Sequence, residues 1–245
     1  GVLSALRGAP IRDAIGSALN QGHWDAVNWL ASAKFAEIKA VYDKACGPGA
    51  VYFRVVDEAI NAISLHPSAR CYLGHRTSTA DMGYVLKDAM AVPDVQELRH
   101  RHAEVTRWLL SAGQRKPEEQ AVIPWLSRAL NNCLWLPDLG PDWVLLNQEW
   151  RFIGDRGKGR RSDVLAVHLP NGQLGIVEAK GCDAQLPEAR RQVREYAHRW
   201  RRDAAELAPF FTSQLRAMGR LYGNDAAAEA TVADTPAALF VAAPA

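Results

Sequence analysis

Two short stretches of this sequence set charged side chains into apolar runs. The first reads Arg161-Ser162-Asp163-Val164-Leu165-Ala166-Val167, the second Ile176-Val177-Glu178-Ala179-Lys180-Gly181. Each has the length and branched apolar content of a buried strand, with an acid opening the first and an acid-x-Lys pair closing the second. Alternate residues of a strand share a face, so Glu178 and Lys180 project the same way. The connection from Asp163 to Glu178 is short enough for the two carboxylates to converge. Charges at such positions cost free energy unless something compensates them, and a divalent cation compensates two carboxylates well. Mg2+ takes oxygen ligands and keeps several waters, so Asp163, Glu178 and the backbone carbonyl of Ala179 form a candidate site for it. An ion there would activate a water and clamp phosphate oxygens in line for attack. Lys180 would orient that water or stabilise charge on phosphorus, with no covalent protein nucleophile. The plain alternative is a surface salt bridge at two strand ends, worth about 0–1 kcal/mol.

These residues need elements to position them. Pro117 with Glu118 and Glu119 behind it makes a favourable helix start, and that helix runs to about Asn132, with Pro124 expected to kink or restart it. Val144 to Ile153 reads as a strand, Gly154 to Gly159 as a glycine-rich turn, and Ser162 to Leu169 as a second strand. Pro170-Asn171-Gly172 carries a hairpin signal, and Leu174 to Ala179 makes the third strand. A polar, arginine-rich helix follows from about Leu186 toward Ala208, where Pro209 is expected to interrupt it. A further helix reaches Leu221, and Ala238 to Ala242 forms a fourth strand. The order helix, strand, strand, strand, helix, strand implies an α/β fold with a mixed sheet flanked by helices.

Asp163, followed after a short hairpin by Glu178-Ala179-Lys180, resembles the PD-(D/E)XK nuclease superfamily, the restriction-endonuclease-like proteins. Gln192-Val193-Arg194-Glu195-Tyr196 looks like the QxxxY motif of its RecB-like and Cas4-like branch, with Gln192 and Tyr196 on one helix face. The resemblance spans roughly Pro117 to Ala208. It implies a Mg2+-dependent nuclease, with Mn2+ substituting, acting on DNA or, alternatively, RNA. It also implies that Gln192 lies near the metal, that Tyr196 faces DNA, and that an acid from the preceding helix joins the ligands. Glu119, on one face with Val122, Leu126 and Ala129, is the better candidate for that acid and Glu118 the alternative. Ser162 stands where the pattern has proline, and Pro124 is an unusual residue in the acid-bearing helix.

Charge is distributed to suit a polyanion. Between Arg151 and Arg202 there are 12 Lys and Arg against 6 Asp and Glu, whereas the other residues hold 17 basic and 21 acidic side chains. Arg156, Lys158, Arg160 and Arg161 on the hairpin, with Arg191 and Arg194 on the helix, are the candidate phosphate contacts. An ordinary solvated face is the alternative. Glu149 is a further ligand or a general base, or else an exposed strand acid. His100 and His102 share a charged helix without visible partners, and the glycines at 154, 157 and 159 lack the GxxxxGK[ST] phosphate-loop pattern.

The 245 residues fit one large domain or two small ones. We divide them at the texture change near Gln114: a mainly helical region over 1–113, then the nuclease-like domain over 114–245. In the first, Ala14 to Ala45, interrupted near Gly22, and Val92 to Leu110 read as helical, Val51 to Leu65 as a helix or a strand then a helix, and Arg70 to Gly83 as a loop. A targeting or regulatory role, or a protein partner or homodimer contact, is expected of it. Cys46, Cys71, Cys133 and Cys182 are scattered with no CxxC pair, which argues against a disulfide scaffold or zinc site. Neither a membrane span nor a signal peptide is legible, so a cytoplasmic setting is expected. Two other functions fit the same pattern: a nuclease fold that binds nucleic acid or protein without cutting, and a nuclease toxin effector.

Overall fold

The computed structural model describes residues 18–56, 59–66, 69–72, 75–76, 84–86, 94–100, 102–103, 117–153 and 159–242. The chain opens with two helices, α1 (Gln21–Leu30) and α2 (Ala33–Cys46). Asn20 caps the first by accepting from the His23 amide at 3.2 Å, and Ser32 caps the second by accepting from Phe35 at 3.2 Å. The break between them is thus set by a serine cap and not by Gly22, which lies in the first turn of α1, and α2 ends where Gly47 takes φ +102°.

Beyond Gly47 the structure departs from the mainly helical expectation. Strands β1 (Val51–Val56), β2 (Ala59–His66), β3 (Ala69–Tyr72), β4 (His75–Arg76) and β5 (Tyr84–Leu86) form a five-stranded sheet in the order β1-β2-β5-β4, with β3 also on β2. All its pairings are antiparallel. The physical reason is visible in β1. Val51, Tyr52, Phe53, Arg54 and Val55 are all buried, so the strand lacks the polar alternation that separates strand from helix in a sequence. Part of the expected loop over 70–83 and most of the expected helix over 92–110 lie outside the described residues. Residues 95–100 are helical, with Asp94 Oδ1 accepting from the Gln96 and Glu97 amides.

The second half follows the expected order. Helix α3 (Pro117–Asn131) leads into β6 (Trp143–Gln148), then the two-stranded ribbon β7 (Arg151–Ile153) and β8 (Gly159–Arg161). Next come β9 (Val164–His168), β10 (Gln173–Ala179), the long helix α4 (Leu186–Tyr222), the short α5 (Asp225–Glu229) and β11 (Ala238–Ala242). The second sheet has the order β11-β10-β9-β6, antiparallel from β6 to β10 and parallel between β10 and β11. This is a mixed sheet closed by a helical crossover. At the β9–β10 turn Gly172 takes φ +67° and Asn171 Oδ1 accepts from the Gln173 amide.

Three details differ from expectation. Pro124 lies inside a continuous α3, and Pro209 lies inside a continuous α4 of 37 residues. A proline removes one helical donor, but around Pro209 the side chains of Leu207, Phe210, Phe211 and Leu215 are all buried. That packing outweighs the missing bond. The expected strand from 144 to 153 is two strands, because Glu149 takes φ +55° just after a bulge between Leu145 and Asn147.

One face of α4 (Val193, Tyr196, Trp200, Ala204, Leu207) packs toward the second sheet, whose Val164 to Val167 and Ile176-Val177 are fully buried. Residues from Leu19 to Val232 belong to one continuous apolar cluster. Polar contacts cross it too. The Phe53 amide donates to Tyr222 Oη at 3.0 Å and that hydroxyl donates to Val51 O at 3.1 Å, while Asn147 Nδ2 donates to Val55 O at 3.1 Å.

Candidate active site

Asp163 sits just before β9 and Glu178 near the end of β10. Val164 pairs with Val177, so the antiparallel register sets Asp163 opposite Glu178. The Asp163 amide donates to Val177 O at 3.2 Å, and Asp163 Oδ2 accepts from the Ala179 amide at 2.6 Å. Ala179 therefore meets the aspartate through its N–H. Lys180 Nζ donates to Glu178 Oε1 at 2.7 Å, as expected of residues two apart on one strand face. The two side chains are 12% and 5% exposed, so this is a buried pair rather than a solvated one. The end of β10 is held in turn by β11, with the Lys180 amide donating to Ala242 O at 2.8 Å.

The electrostatics are unbalanced. Burial, and then the Glu178 charge, push the Asp163 carboxyl up to about 7, against the pull of the Ala179 amide and of Lys180; Glu149 adds to the rise. Asp163 and Glu178 thus face one lysine between them, and the Glu149 carboxylate is close enough to act on Asp163. Surface salt bridges do not behave this way, because solvent screens them.

Tyr196 is fully buried, stacks on Phe152 with 5.5 Å between ring centroids, and donates its hydroxyl to Arg161 O at 2.8 Å. Burial and the nearby charges of Glu178 and Asp163 raise its proton affinity. In this arrangement the tyrosine holds the β8 exit beside the acids, and its hydroxyl is committed to that task. Gln192, one turn earlier on α4, has a buried Oε1 with no hydrogen-bond partner among the described residues. A buried acceptor without a donor costs about 1–3 kcal/mol.

A hard cation fits this donor set: two carboxylates, with an unsatisfied amide oxygen on the neighbouring helix. Among the described residues no three His, Cys, Asp or Glu side chains are grouped closely enough to hold a metal by themselves. Mg2+ needs no such cage, since it is bound by one or two carboxylates with waters and substrate phosphates completing the shell. Glu119 lies on α3, but the side chains of Glu118 and Glu119 lie outside the description, as do Arg156 and Lys158.

Glu149 is not an exposed strand acid. Its carboxylate is 16% exposed and meets Arg54 Nη1 at 2.9 Å and Arg161 Nη1 at 3.7 Å. Its amide donates to Asp163 O at 3.2 Å. A left-handed backbone at a residue with a Cβ costs about 1–3 kcal/mol and persists only where the surroundings enforce it. Arg54, 1% exposed, is the residue that sequence reasoning missed. Its signal was present: an arginine inside Val-Tyr-Phe-Arg-Val-Val must find a partner once buried.

The basic residues are more engaged than their spacing suggests. Arg160 pairs with Glu188 at 3.5 Å, and Arg191 is bound to both Glu188 and Glu195. Arg194 is exposed on the same helix. With Pro187, Arg191, Glu195, His198 and Arg199 it lines a surface groove of about 480 Å³, to which neither Asp163 nor Glu178 contributes. No helix among the described residues is long and apolar enough to cross a membrane. No family model, curated protein or solved structure matches this chain.

Proposed function

We propose that this protein is a Mg2+-dependent nuclease, Mn2+ substituting, that hydrolyses phosphodiester bonds of DNA. The observation that carries the reading is the convergence of Asp163, Glu178 and Lys180 at the paired ends of β9 and β10. Asp163 and Glu178 would hold the ion, with Ala179 O, Glu119 and Gln192 as candidate further ligands. When bound, the ion supplies an activated water and neutralises phosphate charge. The Ala179 amide keeps Asp163 turned toward Glu178. Lys180, held against Glu178, presents its ammonium to the attacking water or to the phosphate oxygens. Tyr196 fixes the backbone at Arg161, two residues before Asp163, and so helps set the height of that carboxylate. Arg160, Arg161 and Arg194, with Arg156 and Lys158, are the candidate backbone contacts, giving affinity without sequence reading. The resemblance to restriction-endonuclease-like proteins is consistent with the mixed four-stranded sheet and its helical crossover.

The deciding experiment incubates the protein with plasmid, linear duplex and single-stranded DNA, and with RNA, in Mg2+, Mn2+ or EDTA. Cleavage in metal that vanishes in EDTA, and in Lys180→Ala and Asp163→Ala variants that keep the fold, is the expected result. Retarded migration of the DNA without cleavage would instead mark a binding module. Full activity in either variant would refute the assignment.

A further inference from the structure

We propose that Arg54 and Glu149 form a positioning pair for Asp163, so that the N-terminal sheet is a working part of the catalytic centre; this rests on the nuclease reading above. Two successive residues of β1 grip three successive residues where β6 leaves the second sheet. Arg54 Nη1 donates to Gln148 O at 3.2 Å and to Glu149 Oε2 at 2.9 Å. Val55 O accepts from Asn147 Nδ2, and Asn147 Oδ1 accepts from the Gln148 amide at 2.7 Å. This grip holds Glu149 at φ +55°, the turn that splits β6 from β7. From that turn the Glu149 amide reaches Asp163 O. The chain path is therefore continuous: a guanidinium on β1 fixes the Glu149 carboxylate, the carboxylate fixes its own backbone, and that backbone fixes Asp163.

The charge of Arg54 matters as much as its reach. Glu149 faces Arg54 and Arg161, the latter on β8, and its carboxylate lies near enough to Asp163 to act on it. The two guanidiniums hold this third carboxylate aside and compensated, leaving Asp163 and Glu178 as the acids directed at the reaction.

The test uses the full chain. Each single substitution unbalances the pair, since Arg54→Met leaves Glu149 with its longer contact to Arg161 and Glu149→Gln takes the acid from a buried guanidinium, so Glu149→Gln is read beside the neutral double variant Arg54→Met/Glu149→Gln. Two readouts are taken: metal-dependent plasmid cleavage, with kcat and KM separated, and hydrogen exchange over 161–165 in metal-free protein. The pair predicts that both variants melt cooperatively, exchange faster over 161–165, and lose about tenfold or more in kcat, with KM for DNA within about twofold of wild type. It also predicts that the double variant is no worse than the single. Wild-type kcat and wild-type exchange in both variants overturn the positioning pair while leaving the nuclease reading intact. A wild-type protein that never cuts nucleic acid, with exchange still accelerated in the variants, sinks the nuclease reading and keeps the link from Arg54 to Asp163.

Discussion

The two sheets each bury charge inside apolar strands, and they deal with it differently. In the N-terminal sheet Arg54 is matched at once by an acid and a carbonyl from the other half of the chain. In the second sheet Asp163 and Glu178 are brought together as like charges, and Lys180 answers only one of them directly. A matched buried charge holds elements together. A surplus of one sign at a strand margin costs stability instead. Matched charge and surplus charge thus lie in different sheets, and Glu149, bound to Arg54 by its carboxylate and to Asp163 O by its amide, is where they touch.

The comparison breaks if removing charge has the same consequence on both sides. The largest expected effect is on cleavage: Lys180→Ala and Asp163→Ala should each lower kcat by at least ~10²-fold with the fold retained, measured on plasmid DNA in Mg2+. Next, Arg54→Met should cost up to about 3–5 kcal/mol of stability, since it takes the close partner from a largely buried acid and the donor from Gln148 O; urea denaturation followed by tryptophan fluorescence would measure it. Asp163→Asn should do the reverse in metal-free protein, raising stability by about 1 kcal/mol while activity is lost. If Asp163→Asn destabilises as strongly as Arg54→Met, the contrast between the sheets is gone.

The pH dependence sharpens the same point. Asp163 binds its proton more tightly folded, at about 7, than at its ordinary value of 3.8. Between those values the unfolded chain holds fewer protons at this site, so its contribution to stability falls as pH rises from about 4 to about 7 and levels off above. The slope is at most about 1.4 kcal/mol per pH unit. Denaturation midpoints of metal-free wild type and Asp163→Asn across that window should differ in slope, and parallel curves would show that the carboxyl is not perturbed. The smallest effect is expected of Tyr196→Phe. It removes one hydrogen bond to Arg161 O, costs about 1 kcal/mol, and should leave cleavage within severalfold of wild type; a collapse of kcat would mean that the hydroxyl does more than hold backbone.

Much of the second sheet was legible because its signals are local. The Asn171-Gly172 turn, the alternation that puts Glu178 and Lys180 together, and the four-residue spacing of Gln192 and Tyr196 all act within a few residues. Asp163 needed one further inference, the register of a short hairpin. The split at Glu149 was hidden, because a left-handed residue without glycine leaves no composition signal. The first sheet was illegible for a different reason. Strand β1 is buried on both faces and reads as an apolar run with no period. The partners of Arg54 lie 94 and 95 residues away, at a separation no local pattern encodes. Pro209 misled through propensity, where tertiary packing decided the outcome.

The Tyr222 hydroxyl, seated between the Phe53 amide and the Val51 carbonyl, has a consequence for how the chain is made. Those two groups leave the ribosome about 170 residues before the tyrosine that completes them, and both acids emerge in the interval. Among the described elements, strand β1 therefore waits on the last turn of α4. Such distant closure makes folding slow relative to a helical bundle, and it ties maturation of the acid pair to arrival of the final crossover. A nascent chain built this way would leave β1 without this anchor until α4 had been synthesised.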